Sequence, residues 1–474
     1  MRLLIHRSLS HCQTHIEYAV RHLLRAAAVG AGADALTLSY GPTRPPIQNG
    51  FHLHVWPSAF FGDDYGSTGV LPSLPLERLD DLPILYGGRQ GAWSERHGPG
   101  AVSTRADVIA GTFFMLSRYE ETVAGGFDKY GRFQASDSVG FKEGFLGRPI
   151  VDEYAGLVRR FFEEAGARLP AAAAWPGGRQ HAACLTHDVD TLRKYSWTPP
   201  LRRAARSPLR LAALLWDFAA VHLRLREDTY ATLNDVRRAE EARGLRGSYY
   251  FLVGARGPSH PNVGPHRSAA AEKAVNDLLA AGHEVGIHPG YFTWRDLELT
   301  RSEKREVERM TGDPVAGGRQ HMLRWKAPDT WRLWNDLGLE YDSTLTFADH
   351  EGFRCGTSWP FRAFDVTTGE VLDLWELPLT VMDNSLSDYR RLGPDEGFAR
   401  MRGLHDRVQR AHGCFVVLWH HNFADPFVRP GWLPLWPQLL DHLMGSGAWI
   451  ATAREIVSHV AASPVAIERE FWES

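Results

Sequence analysis

The sequence predicts an α/β protein in which a smaller N-terminal α/β domain precedes a domain with a parallel sheet, closed or open. One observation is the alternation of short apolar runs with amphipathic stretches along the last two thirds of the 474 residues, which is typical of repeated β-then-α units. Another is a stretch rich in alanine, proline and glycine at 171–178, which indicates a linker. We therefore predict two domains, 1–175 and 176–474.

The N-terminal domain shows strand and helix patterns but no group of residues that forms a reaction site by itself. The predicted strands are 3–5, 35–40 and 51–55, and the predicted helices are 15–28, 109–119 and 150–167. Asp107 precedes the middle helix and is expected to cap it. His52 and His54 alternate with apolar residues, and we favour exposed strand positions over metal ligands for both.

The C-terminal domain carries the alternating pattern. The predicted strands are 182–185, 248–253, 284–287, 339–341, 371–374, 414–419 and 449–451, and the predicted helices are 269–281, 302–310, 330–337, 398–412, 433–443 and 454–460. A segment at 196–228 mixes leucines with arginines. We interpret it as a helical insertion that packs against the domain rather than one that lies on a membrane.

Composition and charge exclude several classes of function. The formal net charge is −3, so no global positive field points to nucleic acid. The cysteines Cys12, Cys184, Cys355 and Cys414 form no C-x-x-C pair and indicate free thiols in a reducing compartment. No apolar run approaches the ~20 residues of a membrane span, and the N-terminus lacks a signal-peptide pattern. We predict a cytoplasmic protein with no integral membrane segment and no nucleic-acid partner.

Metal- and proton-handling residues follow three of the predicted strands. Asp188 and Asp190 follow the first strand of the C-terminal domain, and their i, i+2 spacing points both side chains to one side of an extended backbone. Such carboxylates repel each other unless a cation or a shared proton lies between them. His288 and His420 end two further strands, where a (β/α) barrel carries its chemistry. We favour a metal ligand plus a general base over two solvated turn aspartates.

Four segments carry a resemblance to a known family. They read Thr-His-Asp-Val-Asp at 186–190, Gly-His-Glu-Val-Gly-Ile-His at 282–288, Lys-Ala-Pro at 326–328 and Val-Leu-Trp-His at 417–420. Over about residues 180–460 the chain resembles the polysaccharide deacetylases of the NodB-homology type, carbohydrate esterase family 4. The resemblance implies a distorted (β/α) barrel and a metal-dependent hydrolase that removes N- or O-acetyl groups from a bacterial polysaccharide or its precursor.

The same resemblance implies roles for individual residues. Asp188 is expected to be the catalytic base and His420 the general acid. Asp190 and His288 are expected to bind the metal. A divalent ion held there would polarise the acetyl carbonyl, and zinc suits mixed nitrogen and oxygen ligands, although other first-row metals stay open.

The chain departs from the family at one ligand. The usual second metal-binding histidine is replaced by Phe292, so a third protein ligand has to come from elsewhere. We predict His321, which follows a Gly-Gly turn at 317–318. His187 and His283 are weaker candidates, and a hydrogen-bonding role in the loop is the alternative for His321.

Residues near this substitute ligand are predicted to contact substrate. Arg319 or Arg324 is expected to orient Asp188 or to bind an anionic group of a sugar, with a surface arginine as the alternative. Lys326 lies where the family carries the arginine of Arg-x-Pro, and we predict a carbohydrate contact for it. Trp325 is predicted either to stack on a sugar or to belong to the core.

The N-terminal domain resembles an uncharacterised domain that precedes deacetylase-like domains in bacterial proteins. The likeness rests on Phe-Phe-Met-Leu-Ser-Arg-Tyr-Glu-Glu at 113–121 and on segments 131–133 and 149–154. It implies surface-polysaccharide biosynthesis and partners from that process. Two alternatives stay open: an amidohydrolase acting on a small amide or cyclic ureide, and a catalytically silent protein that binds glycan or assembles a biosynthetic complex.

Overall fold

The computed structural model describes most of the chain: residues 1–29, 36–46, 50–88, 91–170, 175–192, 215–216, 218–221, 223, 232–257, 260–263, 269–423 and 429–473. The predicted fold class is confirmed. The protein is mixed α/β, with one sheet built mainly from the N-terminal third and a larger barrel-like sheet from the remainder. Most of the predicted insertion at 196–228 lies outside the described residues. Among those described, no helix combines the length and apolar character needed to cross a membrane.

The N-terminal sheet has six strands. Across the sheet their order is Glu468–Trp472, Arg2–His6, Leu36–Tyr40, Phe51–Val55, Ala101–Thr104 and Ser94–Arg96, and all neighbours are parallel except the last pair. The helices of this region are Gln13–Ala26, Val108–Leu116, Tyr119–Val123, Val139–Lys142 and Ile150–Glu164, and a small hairpin joins Glu77–Leu79 to Leu82–Ile84. The sheet of the N-terminal region therefore includes Glu468–Trp472, which lies within the predicted C-terminal domain, 176–474.

His52 and His54 are buried, so the prediction that they occupy exposed strand positions is wrong. Both rings bond to the Ser39 hydroxyl, at 2.7 and 2.8 Å. Burial lowers the pKa of His54 to about 3. The ring of Trp56 meets that of His54 edge-on at 4.6 Å, and the ring of Trp472, from the last strand, lies 6.5 Å from it, so both help to bury His54.

The second sheet has ten strands. In spatial order they are Phe361–Asp365, Glu370–Glu376, Tyr341–Asp342, Gly317–Gly318, Glu284–Ile287, Ser248–Phe251, Ala182–Val189, Cys414–Leu418 and Val381–Met382, with Trp449–Ile450 also paired to Ala182–Val189. Every pairing is parallel except the first, which is antiparallel. The carboxyl ends of the parallel strands therefore meet at one edge.

Helices alternate with these strands, as the sequence predicts. They are Leu233–Glu241, Ala269–Ala280, Leu297–Thr311, Asp329–Asp336, Pro394–Arg410, Leu435–Gly445 and Ala453–Ala461, and a second hairpin joins Ala255–Gly257 to His260–Val263. Short helical turns at Thr293–Arg295, His321–Leu323 and Ser385–Tyr389 lie near the carboxyl edge of the sheet. These turns carry several of the residues that surround the candidate site.

Buried polar contacts join the two regions. Asp152 of the N-terminal region accepts hydrogen bonds from Thr357 and Ser358. Glu121 accepts hydrogen bonds from Arg354 at 2.6 and 2.9 Å, and all of these side chains are buried. Because one apolar core also includes residues from both regions, the N-terminal region packs directly against the barrel.

Candidate active site

The five residues predicted to handle metal or protons line one cleft at the carboxyl edge of the second sheet. They are Asp188, Asp190, His288, His321 and His420. The cleft has a volume of about 220 Å³. Each residue lies at or just after the end of a different parallel strand, apart from the two aspartates, which share one strand end.

Three of these residues form a compact cluster of potential metal ligands. The distance from His288 Nε2 to His321 Nδ1 is 3.1 Å. Asp190 Oδ1 lies 3.3 Å from His288 Nε2 and 3.4 Å from His321 Nδ1. Donor atoms that share one tetrahedral ion at bond lengths of about 2 Å lie roughly 3.3 Å apart. The spacing therefore fits common ligation of one divalent ion.

The hydrogen bonds behind the cluster favour the tautomers that metal ligation requires. His288 Nδ1 lies 2.6 Å from the carbonyl oxygen of Arg319, and His321 Nε2 lies 3.2 Å from that of Arg256. A carbonyl only accepts, so each of these nitrogens carries the proton and the opposite nitrogen presents a lone pair. Two lone pairs that face each other repel unless a cation lies between them.

The Asp190 carboxylate completes the fit. Its Oδ1 atom is buried and accepts no hydrogen bond from any described residue. Burial works against ionisation, but the charges of His288 and His321 when protonated outweigh it and hold the pKa of this carboxyl well below its usual range. A divalent cation would take the place of those protons, and an ionised carboxylate oxygen that faces two imidazole nitrogens is the donor set that zinc takes in mixed sites.

Asp188 is held apart from the cluster by Arg319. The guanidinium donates to Asp188 Oδ1 at 2.9 Å and is itself fixed by the backbone and hydroxyl oxygens of Ser343. Asp188 Oδ2 lies 3.6 Å from His288 Nε2, which places it beside the metal ligands. Both Arg319 and Asp188 are buried, so the carboxylate has one orientation. The strand geometry also sends His187 to the opposite side, where it bonds to Glu240.

His420 forms a pair with Asp383. Its Nδ1 atom lies 2.7 Å from Asp383 Oδ1, and its backbone N–H donates to Asp383 Oδ2 at 2.6 Å. Burial alone would lower the pKa of His420, but the charge and hydrogen bond of Asp383 outweigh it and raise this pKa to about 9. The ring is therefore protonated at neutral pH and can donate a proton into the cleft from Nε2.

Asp383, which pairs with His420 behind the cleft, and Arg132, which lines the cleft, are two residues of the site that the sequence analysis did not identify. Asp383 follows Val381–Met382, a strand of two residues that is too short to be predicted from its sequence pattern, so the strand-end rule did not identify it. Arg132 comes from the N-terminal region and lines the same cleft. The sequence contains no signal for Arg132, because nothing in a one-dimensional pattern places a loop of the first region beside strand ends of the second.

The residues predicted to contact substrate lie in different environments. Trp325 is fully buried, which contradicts a sugar-stacking role and leaves the core alternative. Arg324 donates to the backbone oxygens of Tyr130 and Tyr291 and so joins loops rather than facing the cleft. Lys326 is half-buried and lies outside the cleft lining. Only Arg319 of this set reaches a site residue.

A second group of potential ligands lies away from the cleft. His405, Asp406 and His442 offer atoms within 4.8 Å of one another. His405 bonds on one side to His442 at 3.1 Å and on the other to His181 at 3.0 Å. Burial lowers the pKa of His405 to about 3, which suits a chain of neutral rings that bond to each other. The carboxylate of this group, Asp406, is exposed, whereas Asp190 in the cleft has a buried oxygen without a hydrogen-bond partner among the described residues.

Comparisons with known proteins give a family match for the N-terminal region and structural matches that cover about three fifths of the chain. A model for a family of unknown function, DUF7033, matches residues 12–166. No curated protein matches the chain significantly. The 27 matching chains of solved structures include a Mycobacterium smegmatis protein assigned as a polysaccharide deacetylase, with 18% identity, 64% of this chain and 98% of that chain covered, and a TM-score of 0.43.

Two further solved structures match over a similar share of the chain. PuuE allantoinase is 15% identical, with 62% of this chain and 94% of that chain covered and a TM-score of 0.42. A family 4 carbohydrate esterase from Streptomyces lividans, solved in complex with acetate, is 13% identical, with 61% and 100% covered and a TM-score of 0.32. At these identities the likeness concerns the fold alone, so function has to be argued from the site.

Proposed function

We propose that the protein is a metal-dependent hydrolase that removes N- or O-acetyl groups from a bacterial polysaccharide or its precursor. The observation that carries the proposal is the meeting, in one cleft, of a three-residue ligand cluster, a separately oriented carboxylate and a His–Asp pair. Ester and amide hydrolysis need these three components: an electrophilic activator, a base for water and an acid for the leaving group. We also propose that the protein acts in surface-polysaccharide biosynthesis. This part of the proposal rests only on the sequence resemblance described above.

Asp190, His288 and His321 would hold the divalent ion, with zinc as the favoured identity. Bound there, the ion supplies Lewis-acid activation of the acyl carbonyl. The carbonyl oxygens of Arg319 and Arg256 fix the two rings so that their free nitrogens face the same point. Such backing partners commonly set metal affinity, because they fix both tautomer and ring direction.

Asp188 is the proposed general base. It lies beside the ligand cluster without belonging to it, and Arg319 keeps one carboxylate oxygen occupied. The other oxygen is left to accept the proton of the attacking water. The arginine also holds the carboxylate in place as the negative charge is lost, so no rearrangement is needed during the step.

His420 is the proposed general acid. Asp383 fixes the proton on Nδ1, which leaves the protonated Nε2 to donate to the departing nitrogen or oxygen. A general acid has to be protonated before the reaction and has to regain its proton after each turnover. A pKa of about 9 meets the first requirement at neutral pH.

Replacing Asp383 by asparagine is expected to move the alkaline limit of activity to lower pH. Wild-type activity needs protonated His420 and so falls as pH rises through its pKa, about 9. Without the Asp383 charge, the imidazolium loses its largest stabilising partner, and its pKa falls. The check is kcat/KM against pH for both proteins. An alkaline limb at the same pH in both would contradict the pairing.

The size of the cleft favours a short substrate or a chain end. A volume of about 220 Å³, with Tyr389 and Arg132 among its walls, offers little room for a polymer to pass through. This observation keeps a second candidate function, hydrolysis of a small amide or cyclic ureide on the same residues. The complete ligand set argues against a catalytically silent protein.

The test is an acetate-release assay on zinc-loaded protein. N-acetylated and O-acetylated oligosaccharides are compared with allantoin as a representative cyclic ureide, each with and without a chelator. The expected result is zinc-dependent release of acetate from a saccharide. Turnover of the ureide alone would favour the second candidate. Absence of turnover on every substrate by protein that holds stoichiometric zinc would overturn the proposed hydrolase.

A further inference from the structure

We propose that the N-terminal region holds the third metal ligand in place, with Arg132 as a positioning residue for His321. The inference rests on the proposed metal site and concerns how that site is maintained. Arg132 lies within the part of the chain that matches the family of unknown function. The proposal therefore assigns this region a task at the active site of the barrel.

His321 stands at the start of a turn with unusual backbone conformation. The two residues after it, Met322 and Leu323, have φ angles of +58° and +53°. This left-handed region is sparsely occupied by residues other than glycine, and two in succession require support from the surroundings. The position of the His321 ring therefore depends on contacts that hold the turn from outside.

Arg132 supplies one of those contacts. Its Nη1 atom donates to the carbonyl oxygen of Met322 at 3.2 Å, and its side chain is nearly buried, with 8% of the residue exposed. The guanidinium also donates to the hydroxyl of Tyr389, another residue of the cleft lining, at 3.4 Å. Arg132 thus links the ligand-bearing turn to the helical turn Ser385–Tyr389.

Arg132 is itself aimed by the turn that carries it. Asp128 accepts its Nε–H at 2.8 Å, and the other oxygen of Asp128 accepts the backbone N–H groups of Tyr130 and Arg132 at 2.8 and 3.0 Å. Gly131 has a φ of +79°, which closes this turn. The guanidinium therefore reaches Met322 from a turn that its own hydrogen bonds to Asp128 hold closed.

A second arginine reinforces the same junction from the barrel side. Arg324 donates from Nε to the carbonyl oxygen of Tyr130 at 2.7 Å and from Nη1 to that of Tyr291. Its guanidinium also lies over the Tyr291 ring at 4.0 Å. The backbones of the N-terminal turn, the His321 turn and the segment after His288 are therefore joined at one place.

The arrangement explains how a ligand on a loop replaces one that the family resemblance places elsewhere. His288 is fixed by the end of a strand, whereas His321 belongs to a turn that lies beyond its strand. A loop ligand needs an external support to reach comparable precision. The support here comes from a region outside the barrel, so zinc affinity should depend on that region.

The test measures zinc affinity by competition with a chromophoric chelator in the full-length protein. Arg132→Ala is expected to weaken affinity by about 10-fold, the lower end of the cost of removing a partner of a metal ligand, because Arg132 bonds to the residue after His321 rather than to its ring. Arg132→Lys should lose less, because an ammonium can still donate to the Met322 carbonyl. The matched control is Arg148→Ala, an arginine of the same region that pairs with Glu153 and Asp81. Its effect should stay within about two-fold.

The outcomes separate this inference from the proposed function. Because Arg132 acts on zinc through His321, saturating zinc should recover the kcat that Arg132→Ala loses, whereas its place in the cleft wall would change KM alone; a catalytic role would leave kcat low. If Arg132→Ala fails to fold, Asp128→Asn provides the milder test and should also weaken zinc binding. Wild-type protein that binds zinc while both variants keep its affinity would overturn the positioning role alone. Wild-type protein that binds no zinc would overturn both.

Discussion

Asp188→Asn is expected to lower kcat by about 10²–10⁴-fold, the usual contribution of a general base, while zinc remains bound. An amide cannot take the proton from water. It can still accept the Arg319 hydrogen bond, which joins Arg319 Nη1 to Asp188 Oδ1 at 2.9 Å, so the surroundings of the residue are kept. The measurements are steady-state kinetics on the substrate found by acetate release and zinc content by elemental analysis of the same preparation.

The neighbouring carboxylate provides the matched control. Asp190→Asn removes a ligand charge from the cluster and is expected to lose zinc together with activity, because the oxygen that faces both histidines is no longer ionised. Two aspartates two residues apart should therefore give different phenotypes. Near-wild-type turnover in Asp188→Asn, or loss of zinc from it, would contradict the division of roles.

His321→Ala is expected to weaken zinc binding by more than about 100-fold, beyond the range seen when an outer-shell partner is lost. The remaining ligands, Asp190 and His288, would hold the ion with two protein donors instead of three. Activity at low zinc should disappear and return only in part as zinc is added. Chelator competition measures the affinity directly.

Phe292→His is the informative counterpart, because it restores the histidine that the family resemblance places at that position. Phe292 is 44% exposed and does not line the cleft, so a histidine there should leave zinc affinity within about two-fold of wild type. Rescue of His321→Ala by Phe292→His would show that the two positions are interchangeable. That result would contradict the account of His321 as a ligand built into its own turn.

The strand ends are the part of the site that the sequence could predict. A short apolar run followed by Asp188 and Asp190, and similar runs followed by His288 and His420, place chemistry at one edge of a parallel sheet without any knowledge of packing. His321 required a different argument, namely that a missing ligand needs a substitute close to the same edge. Its ring nitrogen lies 3.1 Å from that of His288, within the range that common ligation demands.

Side-chain direction outside regular elements could not be predicted. Trp325 and Arg324 follow His321 closely in sequence, yet one is fully buried and the other joins loops. Met322 and Leu323, between His321 and Arg324, have positive φ angles, so the backbone there is not extended. Proximity in sequence therefore does not indicate which of these residues face the cleft. The i, i+2 rule that served for Asp188 and Asp190 holds only on an extended backbone.

Contacts between distant parts of the chain could not be predicted from the sequence either. The strand Glu468–Trp472 has a charged, weakly apolar pattern and joins the N-terminal sheet through backbone pairing with Arg2–His6. The ring of its Trp472 lies 6.5 Å from that of His54, so part of the burial of His54 comes from a strand that no local pattern links to it. Arg132 reaches the cleft by the same kind of long-range packing, and no local pattern marks it.

The most direct test of the metal site is anomalous diffraction at the zinc edge from crystals of the zinc-loaded full-length protein. The account predicts one strong peak in the cleft, at about 2.0–2.2 Å from a carboxylate oxygen of Asp190, Nε2 of His288 and Nδ1 of His321. A cleft without a peak at saturating zinc would contradict the account. So would an ion there that leaves His321 outside its coordination shell.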